Sequence, residues 1–192
     1  MPIELDPTMH PDLAPLAWLL GQWEGTGIAG YPDQEEVQFV QQVSCTHEGG
    51  PFLRWEARSW RLGADGGRGE LFETELGFWR PLPDSEVELL LTHPTGVVEL
   101  YYGKTEPAKA ELRTDGVLRS PSAREYTAGH RLYGYVQGGL MWAADIAAMG
   151  HPLQSYASAQ LQRAAGPVFT DDAGDEPPAD AGAPDESPKG EV

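Results

Sequence analysis

The chain has 192 residues, with 13 Lys and Arg against 30 Asp and Glu, and its formal net charge is −17. This charge argues against binding nucleic acid through its phosphates, which requires a cationic surface, and against attraction to an anionic membrane. A 40% share of apolar residues suffices for one domain with a sizeable core. The single cysteine, Cys45, excludes an intramolecular disulfide and any cysteine metal cluster.

The N-terminal segment contains one helix candidate. Residues 1–11 carry acidic groups and no Lys or Arg, so they lack the positive region of a secretory signal, and we expect a cytoplasmic protein. The pattern predicts an arm over residues 1–12 and a helix over 12–20, with Asp12 as its N-cap and Gly21 just past its end. Such a helix would lie beside the mouth of a barrel or plug its bottom.

From residue 13 to 163 the apolar period is mostly two, which is typical of strands with one buried face. Turn formers, such as Asp115-Gly116, separate these segments. Eight or more short strands with hairpin spacing predict an antiparallel sandwich or barrel. Strands are predicted over 52–60, 72–78, 86–91, 97–104, 130–137 and 140–149.

Two strands illustrate how we assign faces. In the first, Leu53, Trp55 and Ala57 alternate with charged residues and should face inward. In the second, the expected apolar face consists of Phe72, Thr74, Leu76 and Phe78. The glutamates between these residues, and those of residues 86–88, should lie on a solvated face: Glu73, Glu75, Glu86 and Glu88. Aromatic residues such as Trp55, Trp142 and Tyr133 either line a cavity or fill a solid core, and the sequence leaves both open.

The composition changes near Gly166. Residues 166–192 contain five Pro and eight acidic residues against one base, Lys189. Their few bulky apolar residues cannot offset an ordering cost of about 1–2 kcal/mol per residue. We therefore predict a barrel domain over 13–165 and a disordered acidic tail over 166–192, which serves either solubility and docking or no dedicated partner.

A motif follows the predicted helix. Gly21, Trp23, Gly25 and Gly27 form a G-x-W-x-G-x-G pattern that resembles the signature of the nitrobindin family, and shorter matches extend to residue 163. The resemblance implies an all-β, up-and-down barrel of about ten antiparallel strands with a short N-terminal helix. It also implies a cleft that holds haem b through a histidine near the C-terminus, binding of nitric oxide, conversion of peroxynitrite to nitrate, and a homodimer.

The chain departs from this family at the iron ligand. Three residues past Leu153, where members carry the axial histidine, stands Tyr156, and His151 lies five residues earlier in a turn. Asp33 stands where members carry a threonine near the haem, and Arg124 lies near a basic position of the family. The resemblance thus makes Asp33, Arg124 and Tyr156 the candidates for the cleft.

These departures lead to a hypothesis with two alternatives. We expect no catalytic residue, no metal site and no resident cofactor, and a barrel that has lost histidine ligation and binds a hydrophobic small molecule. The first alternative is a ferric haem protein with Tyr156 as axial ligand, which binds nitric oxide or isomerises peroxynitrite. The second is an interaction module that uses the barrel surface and the acidic tail.

The remaining histidines and the cysteine give little evidence of a metal site or a reactive group. A mononuclear metal site needs three or four converging ligands, and the histidines show neither helical spacing nor a tight cluster in the sequence. His93, for example, ends a predicted strand before Pro94. Cys45 is best explained as a small buried apolar residue.

Overall fold

The computed structural model describes residues 7–32 and 34–169. Its strands pair antiparallel with their sequence neighbours, and β1 pairs with β10 to close a barrel. The predicted all-β barrel of about ten strands is thereby confirmed. The strands are β1 (Gly21–Ala29), β2 (Val37–Thr46), β3 (Leu53–Leu62), β4 (Arg68–Pro81), β5 (Glu86–Thr92), β6 (Val97–Glu106), β7 (Lys109–Arg119), β8 (Tyr126–Val136), β9 (Gly139–Ala148) and β10 (Gln154–Arg163), with 3-10 helices at Pro11–Leu19 and Pro83–Ser85.

The N-terminal helix plugs one end of the barrel. It is a 3-10 helix, and its cap is His10, whose Nδ1 accepts a hydrogen bond from the Asp12 amide at 3.3 Å. Asp12 as N-cap was wrong because Pro11, whose fixed φ suits a first helical position, starts the helix, and the cap therefore lies two residues earlier. Leu13, Leu16 and Leu19 are fully buried in the barrel core. The helix therefore plugs the bottom of the barrel and does not lie beside its mouth, the other placement that we considered.

Aromatic side chains fill the barrel beside this plug. Trp55, Trp79 and Tyr133 meet edge to face, with ring centroids 4.9–6.0 Å apart, and none of the three is more than 1% exposed. Edge-to-face pairs add about 0.5–1.5 kcal/mol each beyond their buried area. The sequence left open whether these aromatic residues line a cavity or fill a solid core. In this half of the barrel they fill a solid core.

Strand β4 faces the opposite way from our prediction. Trp79 is fully buried and Glu75 is 7% exposed, whereas Leu76 and Phe78 are 44% and 47% exposed. Since side chains alternate along a strand, the position of Trp79 sets the faces back to Glu73; there the register with β3 shifts, and Phe72 lines the cleft as predicted. Phe78 and Leu76 therefore point outward, and the solvated face predicted for Glu73 and Glu75 was wrong.

Two smaller predictions meet different outcomes. Asp115 and Gly116 do not form a turn but lie within β7, where the register with β6 shifts between Leu100 and Tyr101 and leaves Asp115 as the extra residue of a β-bulge. Cys45 is buried, as expected, and burial raises the pKa of its thiol well above the ordinary range.

Beyond the barrel the structure describes little of the predicted tail. Val168 donates its amide hydrogen to Gln22 Oε1 at 3.3 Å, and the ring of Phe169 lies 4.3 Å from the guanidinium carbon of Arg58. Residues 1–6 and 170–192 lie outside the described residues, so the tail and the domain boundaries stay predictions. No helix within residues 7–32 and 34–169 has the length and apolar character to span a bilayer.

Candidate ligand cleft

The end of the barrel away from the helix opens into a cleft of about 870 Å³. It lies where β1, β3 and β9 end and β2, β4 and β10 begin, together with the loops before β6 and β8. Apolar and charged side chains share its lining, among them Tyr31, Phe72, Glu73, Arg124 and Tyr156. Its volume falls in the range of roughly 300–1,000 Å³ that is usual for small-molecule and cofactor sites.

A β-bulge turns Tyr156 into this cleft. The β9–β10 register shifts between Ser155 and Ala157, and the Tyr156 carbonyl accepts a hydrogen bond from the Gly30 amide at 2.8 Å. Strict alternation would place Tyr156 with Ser158 on the outer face, but the extra residue puts it on the inner side with Ala157.

Tyr156 lies in an acidic environment. Burial, reinforced by the charges of Glu73 and Glu75, raises the pKa of its phenol well above the ordinary value. Its ring meets the edge of Tyr31 at a centroid distance of 6.2 Å, and Tyr31 also contacts His151 at 5.6 Å. The phenol is thus held in its neutral form at physiological pH.

The other two candidates for the cleft have different outcomes. Arg124 lines the cleft mouth and is exposed, and its charge acts to lower the pKa of Tyr156, although burial and the charges of Glu73 and Glu75 raise that pKa by more. The structure therefore brings Arg124 and Tyr156 to one cavity. Asp33 lies outside the described residues, so its proximity to the cleft stays a prediction.

The glycine and tryptophan motif lies away from the cleft and has a packing role. A Cβ on Gly25 would stand 2.1 Å from the Gln160 carbonyl oxygen, and one on Gly27 would stand 2.5 Å from that of Ser158, so only glycine lets β10 approach this closely. Trp23 is fully buried, and its Nε1 donates to the Leu19 carbonyl at 2.9 Å. Gly21, at the start of β1, has φ +135°.

The floor of the cleft is a network of buried charges around Glu99, which is 2% exposed. Its carboxylate accepts hydrogen bonds from Tyr101 at 2.6 Å and from Tyr126, and it lies 2.8 Å from His93 Nε2. The guanidinium of Arg131 stands 3.5 Å away. Although burial alone would raise it, Arg131 and His93 lower the pKa of Glu99 to about 2.

Arg131 joins this network to a second carboxylate. Its Nη2 donates to Glu75 Oε1 at 2.5 Å, while Nε and Nη1 each donate to a tyrosine hydroxyl at 3.2 Å, those of Tyr101 and Tyr133. Burial alone would lower the pKa of His93, but the neighbouring carboxylates of Glu73 and Glu99 raise it to about 10. The carboxylates of Glu73, Glu75 and Glu99 thus surround Arg131 and His93.

The sequence contains one sign of this network, which we did not predict. Val97, Glu99 and Tyr101 share the inner face of β6, and all three are buried. A charged residue between two apolar residues of one face is costly to bury unless it is paired. That position could have been noted, but its partners on β4 and β8 come close only through the closure of the barrel.

Comparisons with known proteins agree with this geometry. The family model described as "THAP4-like, heme-binding beta-barrel domain" matches residues 12–163. The "Peroxynitrite isomerase" of Nocardioides sp. is 48% identical over 163 residues, covering 85% of this chain and 99% of its own length. The "Ferric nitrobindin-like protein" of Kineococcus radiotolerans is 45% identical, covering 79% and 92%. The crystal structure of Rv2717c from M. tuberculosis has a TM-score of 0.74 and 31% identity, covering 81% of this chain and 99% of its own.

These findings overturn the expectation of a barrel with no cofactor, because the matching family is a haem-binding one and its model spans almost the whole barrel. One missing ligand does not remove the whole site, because a cavity and its lining contribute binding free energy apart from the iron bond. The chain belongs to the nitrobindin family of THAP4-like haem-binding β-barrels.

Proposed function

We propose that this chain binds haem in the open-end cleft and holds it without a histidine ligand from β10. The observation that carries the proposal is the position of Tyr156, which the bulge turns into the cleft at the point where the family resemblance calls for the axial histidine. A neutral phenol there is a weak ligand for iron, and the carboxylates of Glu73 and Glu75 oppose its ionisation.

The residues of the cleft fit a porphyrin in size and polarity. A cavity of about 870 Å³ with apolar side chains such as Phe72 and Val97 can enclose a large planar ring. Arg61 and Arg124 also line the cleft and are cations of the kind that pair with carboxylate groups such as the propionates of haem. When bound, haem supplies an iron that takes small ligands such as nitric oxide.

The histidine that lines the cleft, His93, is committed to other groups. Its Nε2 is 2.8 Å from the buried carboxylate of Glu99. Its Nδ1 lies among the carboxylates of Glu73 and Glu75, so both ring nitrogens face carboxylates of the cleft floor. His93 therefore supports the charge network and does not replace the family's axial ligand.

Hemin titration of the purified protein tests this proposal. We expect uptake of one hemin per chain, with a spectrum that Tyr156→Phe leaves unchanged. Tyr156→His should shift the spectrum to that of nitrogen-ligated haem, whereas Tyr102→His, which places an imidazole on the exposed face of β6, should not. Absence of stoichiometric uptake would contradict haem binding, and a changed spectrum in Tyr156→Phe would establish tyrosine ligation instead.

A second candidate function, peroxynitrite isomerisation, is favoured by the name of the relative that is 48% identical. The measurement is the rate of nitrate formation from peroxynitrite by the hemin-loaded protein, compared with Tyr156→His. If a histidine ligand is what the activity requires, the variant should be faster than the unchanged protein. Equal rates in the two would show that the ligand from β10 does not control this reaction.

A further inference from the structure

We propose that Glu73, Glu75 and His93 form a binding site for a first-row divalent cation such as Zn²⁺ at the floor of the cleft. One ligand atom from each of the three side chains lies within 4.8 Å of the others. Two of the side chains, Glu73 and His93, line the cavity, so a cation can enter from the open end. The inference does not rest on haem binding.

The distance between Glu73 and His93 is the first argument. His93 Nδ1 lies 3.6 Å from Glu73 Oε1, which is too long for a hydrogen bond. Zinc binds nitrogen and oxygen at about 2.0–2.2 Å with tetrahedral angles, which places two ligand atoms about 3.4 Å apart. The separation is therefore close to that of two ligands of one metal ion.

The second argument is the partner of the other ring nitrogen. A histidine that binds a metal usually donates its second N–H to a carboxylate, which fixes the orientation of the ring. His93 Nε2 has such a partner in Glu99 at 2.8 Å, and Glu99 is itself held by Tyr101 and Tyr126. The His93 side chain is 7% exposed, so its Nδ1 is directed at the carboxylates inside the protein and not at solvent.

Charge and ligand count give the third argument. Three carboxylates, those of Glu73, Glu75 and Glu99, surround His93, and a cation at its Nδ1 would replace the proton on that nitrogen. Glu75 accepts a hydrogen bond from Arg131 through one oxygen, and a carboxylate has lone pairs for further partners. Two carboxylates and one imidazole leave a fourth position toward the cleft, as in metal sites that bind water or substrate.

Titration with Zn²⁺, and with Co²⁺ as a spectroscopic probe, tests the site on protein free of hemin. We expect one ion per chain. Glu73→Gln should weaken binding by at least about tenfold, the loss expected even for an outer partner of a metal ligand. Glu24→Gln removes the same charge from an exposed position on β1 and should leave the affinity unchanged.

A further pair of variants separates ligation from simple charge attraction. Glu73→His removes the same negative charge as Glu73→Gln but supplies a new ligand, so it should retain binding and add nitrogen ligation to the Co²⁺ spectrum. Glu99→Gln, which alters the partner of His93 Nε2 and leaves the three ligands in place, should weaken binding by about 10–100-fold. Near-ultraviolet circular dichroism of the buried tryptophans checks that each variant is folded.

Three results would overturn the proposal: no binding of one ion per chain, equal affinities in Glu73→Gln and Glu24→Gln, or equal loss in Glu73→Gln and Glu73→His. Hemin uptake by Glu73→Gln is measured separately. A Glu73 variant that loses Zn²⁺ but keeps hemin shows that the cation site is independent of haem. If the protein without substitutions does not take up hemin, this result contradicts only the proposed haem function.

Discussion

The two ends of the barrel interior differ in what fills them. At the helix end, leucines of the 3-10 helix pack with Trp55, Trp79 and Tyr133, and the centre is solid. At the open end, Glu99 and Arg131 sit below a cleft of about 870 Å³. Apolar packing gains stability without direction, whereas buried charges must be paired and so fix the positions of their neighbours. The helix end therefore stabilises the barrel, and the open end is organised to bind.

The largest effect should come from removing an aromatic residue of the helix end. Trp79→Ala would leave a cavity among Trp55 and Tyr133, and we expect a loss of about 4 kcal/mol in the free energy of unfolding, measured by urea denaturation. The folded fraction should still bind hemin. A loss below about 1 kcal/mol would show that this end is not the main source of stability.

A somewhat smaller loss should follow from removing the central cation of the open end. Arg131→Met leaves Glu75 and Glu99 buried without their guanidinium partner, and we expect a loss of about 3 kcal/mol by the same measurement. The double variant Arg131→Met with Glu75→Gln should recover part of this loss, because one unpaired charge disappears. If the double variant is less stable than the single one, unpaired charge is not the cause.

The close approach of β1 to β10 supplies a third test, on the wall that joins the two ends. Gly25→Ala would place a Cβ 2.1 Å from the Gln160 carbonyl oxygen, and we expect a loss of about 1–3 kcal/mol from the forced separation of the strands. Gly134→Ala is the matched control, since its nearest neighbour would be 3.8 Å away. Equal thermal midpoints in the two variants would exclude a steric role for Gly25.

The smallest effect should be on the outside of β4. Leu76→Ser replaces a leucine that is 44% exposed, and the free energy of unfolding should change by no more than about 0.5 kcal/mol. This variant tests the orientation of β4, because the pattern of the sequence placed Leu76 inside. A loss above about 2 kcal/mol would mean that Leu76 is buried and that Glu75 faces solvent.

The sequence by itself determined the barrel and its family. Alternation with period two and frequent turn formers predicted most strands, as in 52–60 against the observed Leu53–Leu62, because one buried face leaves a local pattern. The glycine motif of β1 was recognisable in the sequence for a similar reason, since a close backbone approach forbids any other residue. The position of Tyr156 near the C-terminus was found by counting from a motif.

Only the tertiary structure decided which way β4 and Tyr156 face and which charges meet. Bulges shift the alternation by one residue, as at Ser155 and Ala157, and a pattern read from a single strand cannot reveal them. Arg131 and Glu75 are 56 residues apart in the chain, and they become partners through barrel closure. The free energy of burying a charge depends on such distant partners, which is why the local sequence misassigned Glu73 and Glu75 to solvent.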